Sequence, residues 1–368
     1  MLKTAGFRGV KAVDRIFGHL PSLRAFQPLK GSFSAMERLD GGRYDGAVLE
    51  RCQPIGHCPE GSVTERCGLG QHDFQPWSAF WTRCEDARLV GSMWHWRDPD
   101  DRICREGVFG LTERRRLGED GIGVQWFPGR PITLPGAWTS IASNWGDGRN
   151  YFHWIFDSLT RLQVRESLPE ETKILIPVST APYISETLEM LGLSDLAASP
   201  SVRTVRPERY YFCSPTAMTG VWNPSGFGWL KERFSTFFSG PGSGGRVFLT
   251  RRGTNRVPAD LERIEKSFEA EGFKVVDCGK LSVREQILLA SGATAIAGIH
   301  GAAMSNLIWA RPGTPVLELF QSSYLNGCYE QIAFHGELDY AFSILDRPSA
   351  MTDLGEWFER LPSATRPD

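Results

Sequence analysis

Residues 293–320 read ATAIAGIHGAAMSNLIWARPGTPVLELF, two buried strands joined by a helix. Ala293 to Ile299 is an apolar run of strand length that stops at His300 and Gly301. Small and apolar residues from Ala302 to Trp309 then suit a helix, Pro312 and Gly313 a turn, and Val316 to Phe320 a second buried strand. The same rhythm extends upstream. Val247 to Thr250 reads as a strand, Ala259 to Glu271 as a helix stopped at Gly272, and Lys274 to Val276 as a strand. Val283 to Ala290 reads as a helix opened by Ser282, with Glu285 three residues later completing a capping box. Strands alternating with helices imply parallel pairing and right-handed crossovers.

Working toward the amino terminus, Gly240 to Gly245 (GPGSGG) reads as a linker, preceded by a short helix from Trp229 to Phe238. A second α/β layer is predicted before it. Tyr151 to Arg165 carries apolar residues at helical spacing, at Phe152, Ile155, Phe156, Leu159 and Leu162, with Asp147, Gly148 and Asn150 where the helix starts. Lys173 to Val178 follows as a strand and Pro182 to Leu191 as a helix closed by Gly192. Residues 1 to about 130 read irregularly, with short strand-like runs such as Ala47 to Leu49 and Gly107 to Leu111. Trp77, Trp81, Trp94 and Trp96 cluster there, either stacking on sugar faces or, the reading preferred here, filling a core.

Composition bounds the function. With 368 residues the chain has length for about two domains. Its 41 basic and 43 acidic residues nearly cancel, so no global attraction to nucleic acid or an anionic membrane is implied. Of the basic residues 33 are arginine, the better bidentate phosphate ligand. No apolar stretch reaches the ~20 residues of a membrane-spanning helix, and no signal-peptide block is expected. Lys3, Arg8, Lys11 and Arg15 alternate with apolar residues at the amino terminus, which suits a surface helix or a basic amphipathic helix resting on a membrane. Cys52, Cys58, Cys67, Cys84 and Cys104 lack CxxC spacing although His57 and His72 lie near, so reduced, mostly buried thiols and no metal are expected.

Four groups of residues could carry chemistry. His153 and Asp157 are four apart on the predicted helix, giving a histidine base held by a carboxylate, a carboxylate base oriented by histidine, or an ordinary surface pair. Arg251 and Arg252 follow a strand whose carboxyl end should face a ligand crevice, where a guanidinium fork matches a diphosphate; a solvated strand end is the plainer alternative. At Gly298 to Ala303 the small residues of a strand-to-helix turn let an anion approach the first backbone N–H groups. Glu318 sits in an apolar strand and needs a partner, either ribose hydroxyls or a nearby arginine.

In this order the strings NYFHWIFDSLTR (150–161), FLTRR, DCGKLSVREQ and GIHGAAMSNLIWARPGTPVLELF resemble glycosyltransferase family 61, over roughly residues 141–320. The resemblance implies an α/β, GT-B-like architecture, two Rossmann-like domains facing across a cleft. It implies this plan: 1–130 an irregular, partly β region packed on the first domain; 131–220 an acceptor domain; 221–245 a linker; 246–346 a nucleotide-sugar-binding domain; 347–368 a helix and tail. It further implies inverting, metal-independent transfer from a nucleotide sugar, most simply a UDP-sugar, to a glycan or glycolipid acceptor in cell-surface polysaccharide synthesis of the bacterial capsule or lipopolysaccharide type. No cofactor or nucleic acid partner is implied, and the location is cytoplasmic with peripheral membrane contact through the amino terminus. Donor contacts are expected from Arg251, Arg252, His300, Gly301, Ala302, Ala303, Asn306 and Glu318, the last on the ribose. Asp157 is the expected base with His153 as the alternative, and Asn150 lines the cleft. Competing readings are a carbohydrate-binding or scaffolding protein without turnover, and an NAD-dependent oxidoreductase, which the missing glycine fingerprint disfavours.

Overall fold

The computed structural model describes residues 32–33, 35–40, 45–50, 63, 78–91, 94–100, 102–107, 131–143, 146, 148–202, 204–218, 221–222, 224–254 and 256–362. The basic amino-terminal helix, Asp147, Trp77, His57, His72, Cys52, Cys58 and Cys67 lie outside them. Two compact units are formed, one from Met1–Cys52, Trp77–Ala181 and Leu193–Thr219, the other from Gln53–Pro76, Pro182–Gly192 and Gly220–Asp368.

The first unit holds one ten-stranded mixed sheet. Its strands are β1 (Ser32–Phe33), β2 (Asp45–Glu50), β3 (Ala79–Cys84), β4 (Arg88–Val90), β5 (His95–Arg97), β6 (Ile103–Cys104), β7 (Ile132–Ser140), β8 (Lys173–Leu175), β9 (Ala197–Ala198) and β10 (Thr204–Cys213). Strand β10 is central: it runs parallel to β7 and antiparallel to β3 and β4. Its Pro207 cannot donate to a ladder, and the register shifts between Pro207 and Arg209, where a bulge accommodates the missing N–H. Alternation along β10 buries Tyr210 and Phe212 against Trp96, at ring distances of 5.5 and 5.3 Å. Trp94 and Trp96 are thus core residues. Among the described residues before 130, the strands join the same sheet as β7 and β8, through the pairing of β3 and β4 with β10.

The helix expected over 151–165 is interrupted. Asn150 caps α1 (Tyr151–His153) by accepting from the Phe152 N–H at 3.0 Å, a π-helical segment covers Trp154–Leu159, and α2 (Arg161–Arg165) resumes. Wide turns of this kind recur at functional sites.

In the second unit the sheet is wholly parallel, built from β11 (Gly245–Leu249), β12 (Phe273–Val276), β13 (Ala293–Ile299), β14 (Pro315–Phe320) and β15 (Asp339–Ile344) in the spatial order β12-β11-β13-β14-β15. This is the doubly wound order whose direction of winding reverses between β11 and β13. Helices α3 (Pro182–Met190), α4 (Pro224–Phe234), α5 (Leu261–Ala270), α6 (Val283–Gly292), α7 (Cys328–His335) and α8 (Ala350–Arg360) belong to this unit. On one face α5 and α8 bury Leu261, Ile264, Phe268, Leu354 and Trp357, with Phe268 4.4 Å from Phe248 of β11. Gly272, at φ 79°, ends α5 in a conformation side chains resist.

Three boundaries differ from expectation. Helix α3 groups with the second unit because its Glu186 accepts the Val283 and Arg284 N–H groups at 2.8 and 3.0 Å, a second cap beside the Ser282–Glu285 box. Helix α4 begins at Pro224, which suits a first helical position, and burial of Phe227, Leu230 and Phe234 overrides Gly226 and Gly228. Gly240 to Gly245 is no linker between units: it lies inside the second, and the Gly244 N–H donates to the Gly292 carbonyl at 2.9 Å. Ala302–Trp309 winds as an eight-residue 3-10 helix.

Candidate functional site

The crevice that a doubly wound sheet offers lies outside the carboxyl ends of the strands flanking its switch point. Arg251 leaves β11 there, and His300 and Gly301 leave β13 beside it. Arg251 is half-buried and its Nη1 donates to the His300 carbonyl. A Cβ on Gly301 would sit 1.8 Å from that Nη1, so a side chain there would displace the Arg251 guanidinium from its place on the His300 carbonyl. Burial, and after it the nearby Arg256 guanidinium, pushes Arg251 below its usual pKa. Ala302 and Ala303 stay partly exposed where the 3-10 helix starts, and the first N–H groups of any helix lack acceptors within it.

His300 is held on several sides. Its Nδ1 lies 2.5 Å from Glu318 Oε1, its ring stacks on Phe320 at 4.9 Å, and Tyr324 and Tyr329 approach at 5.3 and 5.1 Å. The other carboxylate oxygen of Glu318 accepts from the Tyr340 hydroxyl at 2.6 Å. Burial raises the Glu318 pKa, while the bonds from His300 and Tyr340 oppose that rise. With Nδ1 committed to a carboxylate, Nε2 is the ring atom left to meet a ligand.

Three expected contacts take other partners. Glu318 is fully buried with both oxygens bonded inside the protein, so the partner expected from a ribose is supplied by His300 and Tyr340. Arg252 lies in the turn that follows β11 and faces α5: its Nε lies 3.0 Å from both oxygens of the buried Glu265, and Nη2 also donates to Oε2. Asn306 is buried, with its amide on Gln286 Oε1 at 2.8 Å and the Ala303 carbonyl at 3.0 Å, pinning the 3-10 helix to α6. All three side chains are thus held by partners within the protein.

Arg256, which the sequence reading passed over, belongs at this strand end. Its guanidinium carbon lies 3.9 Å from the Tyr324 ring centroid. Reading only the strand-terminal arginines missed it; counting cations along the whole loop from Arg251 to Pro258 would have found it.

In the first unit His153 Nδ1 lies 2.7 Å from Asp157 Oδ2. Asp157, the expected base, is fully buried, whereas the His153 side chain is 14% exposed. Only the imidazole has access to solvent. Arg161, also buried, acts electrostatically on Asp157 from one turn further on. Asn150 serves as the helix cap. Cys84, Cys104, Cys213, Cys278 and Cys328 are free and buried, as read from the spacing of the first two. Among the described residues no helix is long and apolar enough to cross a membrane.

The model of one protein family, Glycosyltransferase 61, matches residues 151–317. The matched segment contains His153, Asp157, Arg251, Arg252 and the His300 to Asn306 turn, and stops one residue short of Glu318. The match covers less than half of the chain and supports a likeness to glycosyltransferase family 61 over that segment. Comparison with curated proteins finds no match.

Proposed function

We propose that this protein is an inverting glycosyltransferase of family 61 that moves a sugar from a nucleotide sugar, most simply a UDP-sugar, to a hydroxyl of a glycan or glycolipid. The observation that carries the reading is the cationic strand end formed by Arg251 beside His300 and Gly301, at the switch point of a parallel sheet and inside the family match.

In this mechanism the acceptor oxygen attacks C1 of the donor sugar from the face opposite the nucleotide. The C1–O bond to the diphosphate breaks, its electron pair leaves with the phosphate oxygen, and the anomeric configuration inverts. The hydroxyl proton passes to Nε2 of His153, whose Nδ1–H is held by Asp157. His153 takes the base role because Asp157 has no solvent access, and Asp157 becomes the residue that fixes its tautomer. Arg251 and the first N–H groups of the 3-10 helix balance the departing charge, the role a divalent metal fills in other transferases. Glu318 positions His300 against the phosphates.

Under this reading the first unit is the acceptor domain and the second the donor domain of a GT-B enzyme of cytoplasmic polysaccharide synthesis, of the capsule or lipopolysaccharide type, peripheral to a membrane. A thermal-shift screen tests it: UDP or GDP should raise the melting temperature and NAD should not. Stabilisation by NAD alone would replace the transferase with an oxidoreductase, and stabilisation by no nucleotide would favour a scaffold without turnover.

A further inference from the structure

We propose that Arg256 is the second cationic ligand of the donor site, so that Arg251 and Arg256, and not Arg251 and Arg252, take the two phosphates of a sugar diphosphate. The proposal rests on the donor-site reading above and deepens it.

The geometry begins with the loop that leaves β11. Arg252 turns away and is neutralised by Glu265. Four residues later the chain brings back a second cation. The guanidinium of Arg256 rests 3.9 Å from the Tyr324 ring centroid, and that ring is 5.3 Å from the His300 ring. One aromatic side chain therefore separates Arg256 from the residue placed at the phosphates. Cation–π attraction to the ring restricts where the guanidinium can go while leaving its N–H groups able to bond an anion.

Arg256 holds φ at 62°, a left-handed conformation in which a non-glycine residue is strained. Such strain persists where the surroundings enforce it, and it gathers at binding sites. Among the described residues no carboxylate pairs with Arg256. Arg256 stands close enough to Arg251 to repel it, and after burial this repulsion is the largest influence holding the Arg251 pKa down. A ligand with charge on two adjacent phosphates would remove it; a single phosphate would engage only one guanidinium fully.

Nucleotide sugars and lipid-linked sugars share the diphosphate, so the test separates them. The full-length protein is titrated calorimetrically with UDP, UMP, inorganic pyrophosphate and farnesyl diphosphate. Arg256→Ala should weaken UDP binding about 10- to 100-fold, the loss of one charge-assisted contact, and change UMP binding far less. Arg256→Lys should recover part of the affinity, and Arg252→Ala should bind UDP like the unaltered protein. Wild-type UDP affinity in Arg256→Ala, with Arg251→Ala weakened, would overturn the role of Arg256 alone. Wild-type affinity in both variants would overturn the donor-site reading itself. Binding of farnesyl diphosphate without UDP, weakened by Arg256→Ala, would uphold the diphosphate clamp and replace the nucleotide with a lipid.

Discussion

Glu318 and His300 stand one strand apart in the parallel sheet and meet through a 2.5 Å contact between Oε1 and Nδ1. Tyr340, on the next strand, closes the other side of the same carboxylate at 2.6 Å. A fully buried carboxylate with both oxygens bonded fixes the imbalance that burial would otherwise leave, and it fixes the tautomer of the histidine.

Glu318 should make stability depend on pH. Its folded pKa is raised, with burial the largest cause, so the stability it contributes is fully present below its unfolded value near 4.3 and is lost as pH rises through the folded value. Glu318→Gln cannot titrate. Urea unfolding at a series of pH values above about 4 should show the variant gaining on the unaltered protein as pH rises. A constant difference between the two would mean that Glu318 is not held above its ordinary range.

Gly301→Ala should damage the site without damaging the fold. The new methyl meets the far end of the Arg251 side chain, which can move, rather than backbone. Thermal stability should stay within about 0.5 kcal/mol, while UDP affinity falls by roughly tenfold as Arg251 leaves the His300 carbonyl. Because both changes remove the same contact, Gly301→Ala and Arg251→Ala should be less than additive in a double-mutant cycle. Full additivity would show that Gly301 acts independently of Arg251.

In the first unit, His95 should make stability acid-sensitive. Burial pushes its pKa down to about 4, so the neutral ring is favoured in the folded state. The stability this contributes is present above the unfolded pKa near 6.5 and is lost as pH falls toward the folded value, a total of roughly 3 kcal/mol. His95→Gln should lack that component of the urea-unfolding profile between pH 6.5 and 4. An unchanged profile would place the acid sensitivity elsewhere.

Much of the second unit was legible because its signals are local. The strand and turn of 293–301, the Ser282–Glu285 box and the stop at Gly272 each depend on residues a few positions apart. What was not legible depends on the third dimension. Arg251 and Arg252 are equivalent in sequence, and only the course of the turn after β11 sends one to the His300 carbonyl and the other to Glu265. Tyr340 meets Glu318 only because β15 pairs with β14, a relation no spacing announces. At Trp154–Leu159 the apolar positions fit an ordinary helix, so the wider turn and the complete burial of Asp157 were hidden. In the amino-terminal region, short strands with distant partners gave no periodicity to read.

Transfer from a sugar diphosphate donor, with Arg251 on the phosphates and His153 taking the acceptor proton, is tested by the release of free nucleotide from a panel of UDP-, GDP- and CMP-sugars, assayed with the unaltered protein, Arg251→Ala and His153→Ala. Nucleoside diphosphate release is expected from at least one UDP- or GDP-sugar, with loss of donor affinity in Arg251→Ala and a rate lower by about 10²- to 10⁴-fold in His153→Ala with UDP affinity retained. Release from none of the donors, or undiminished release by both variants, would remove these residues from the reaction.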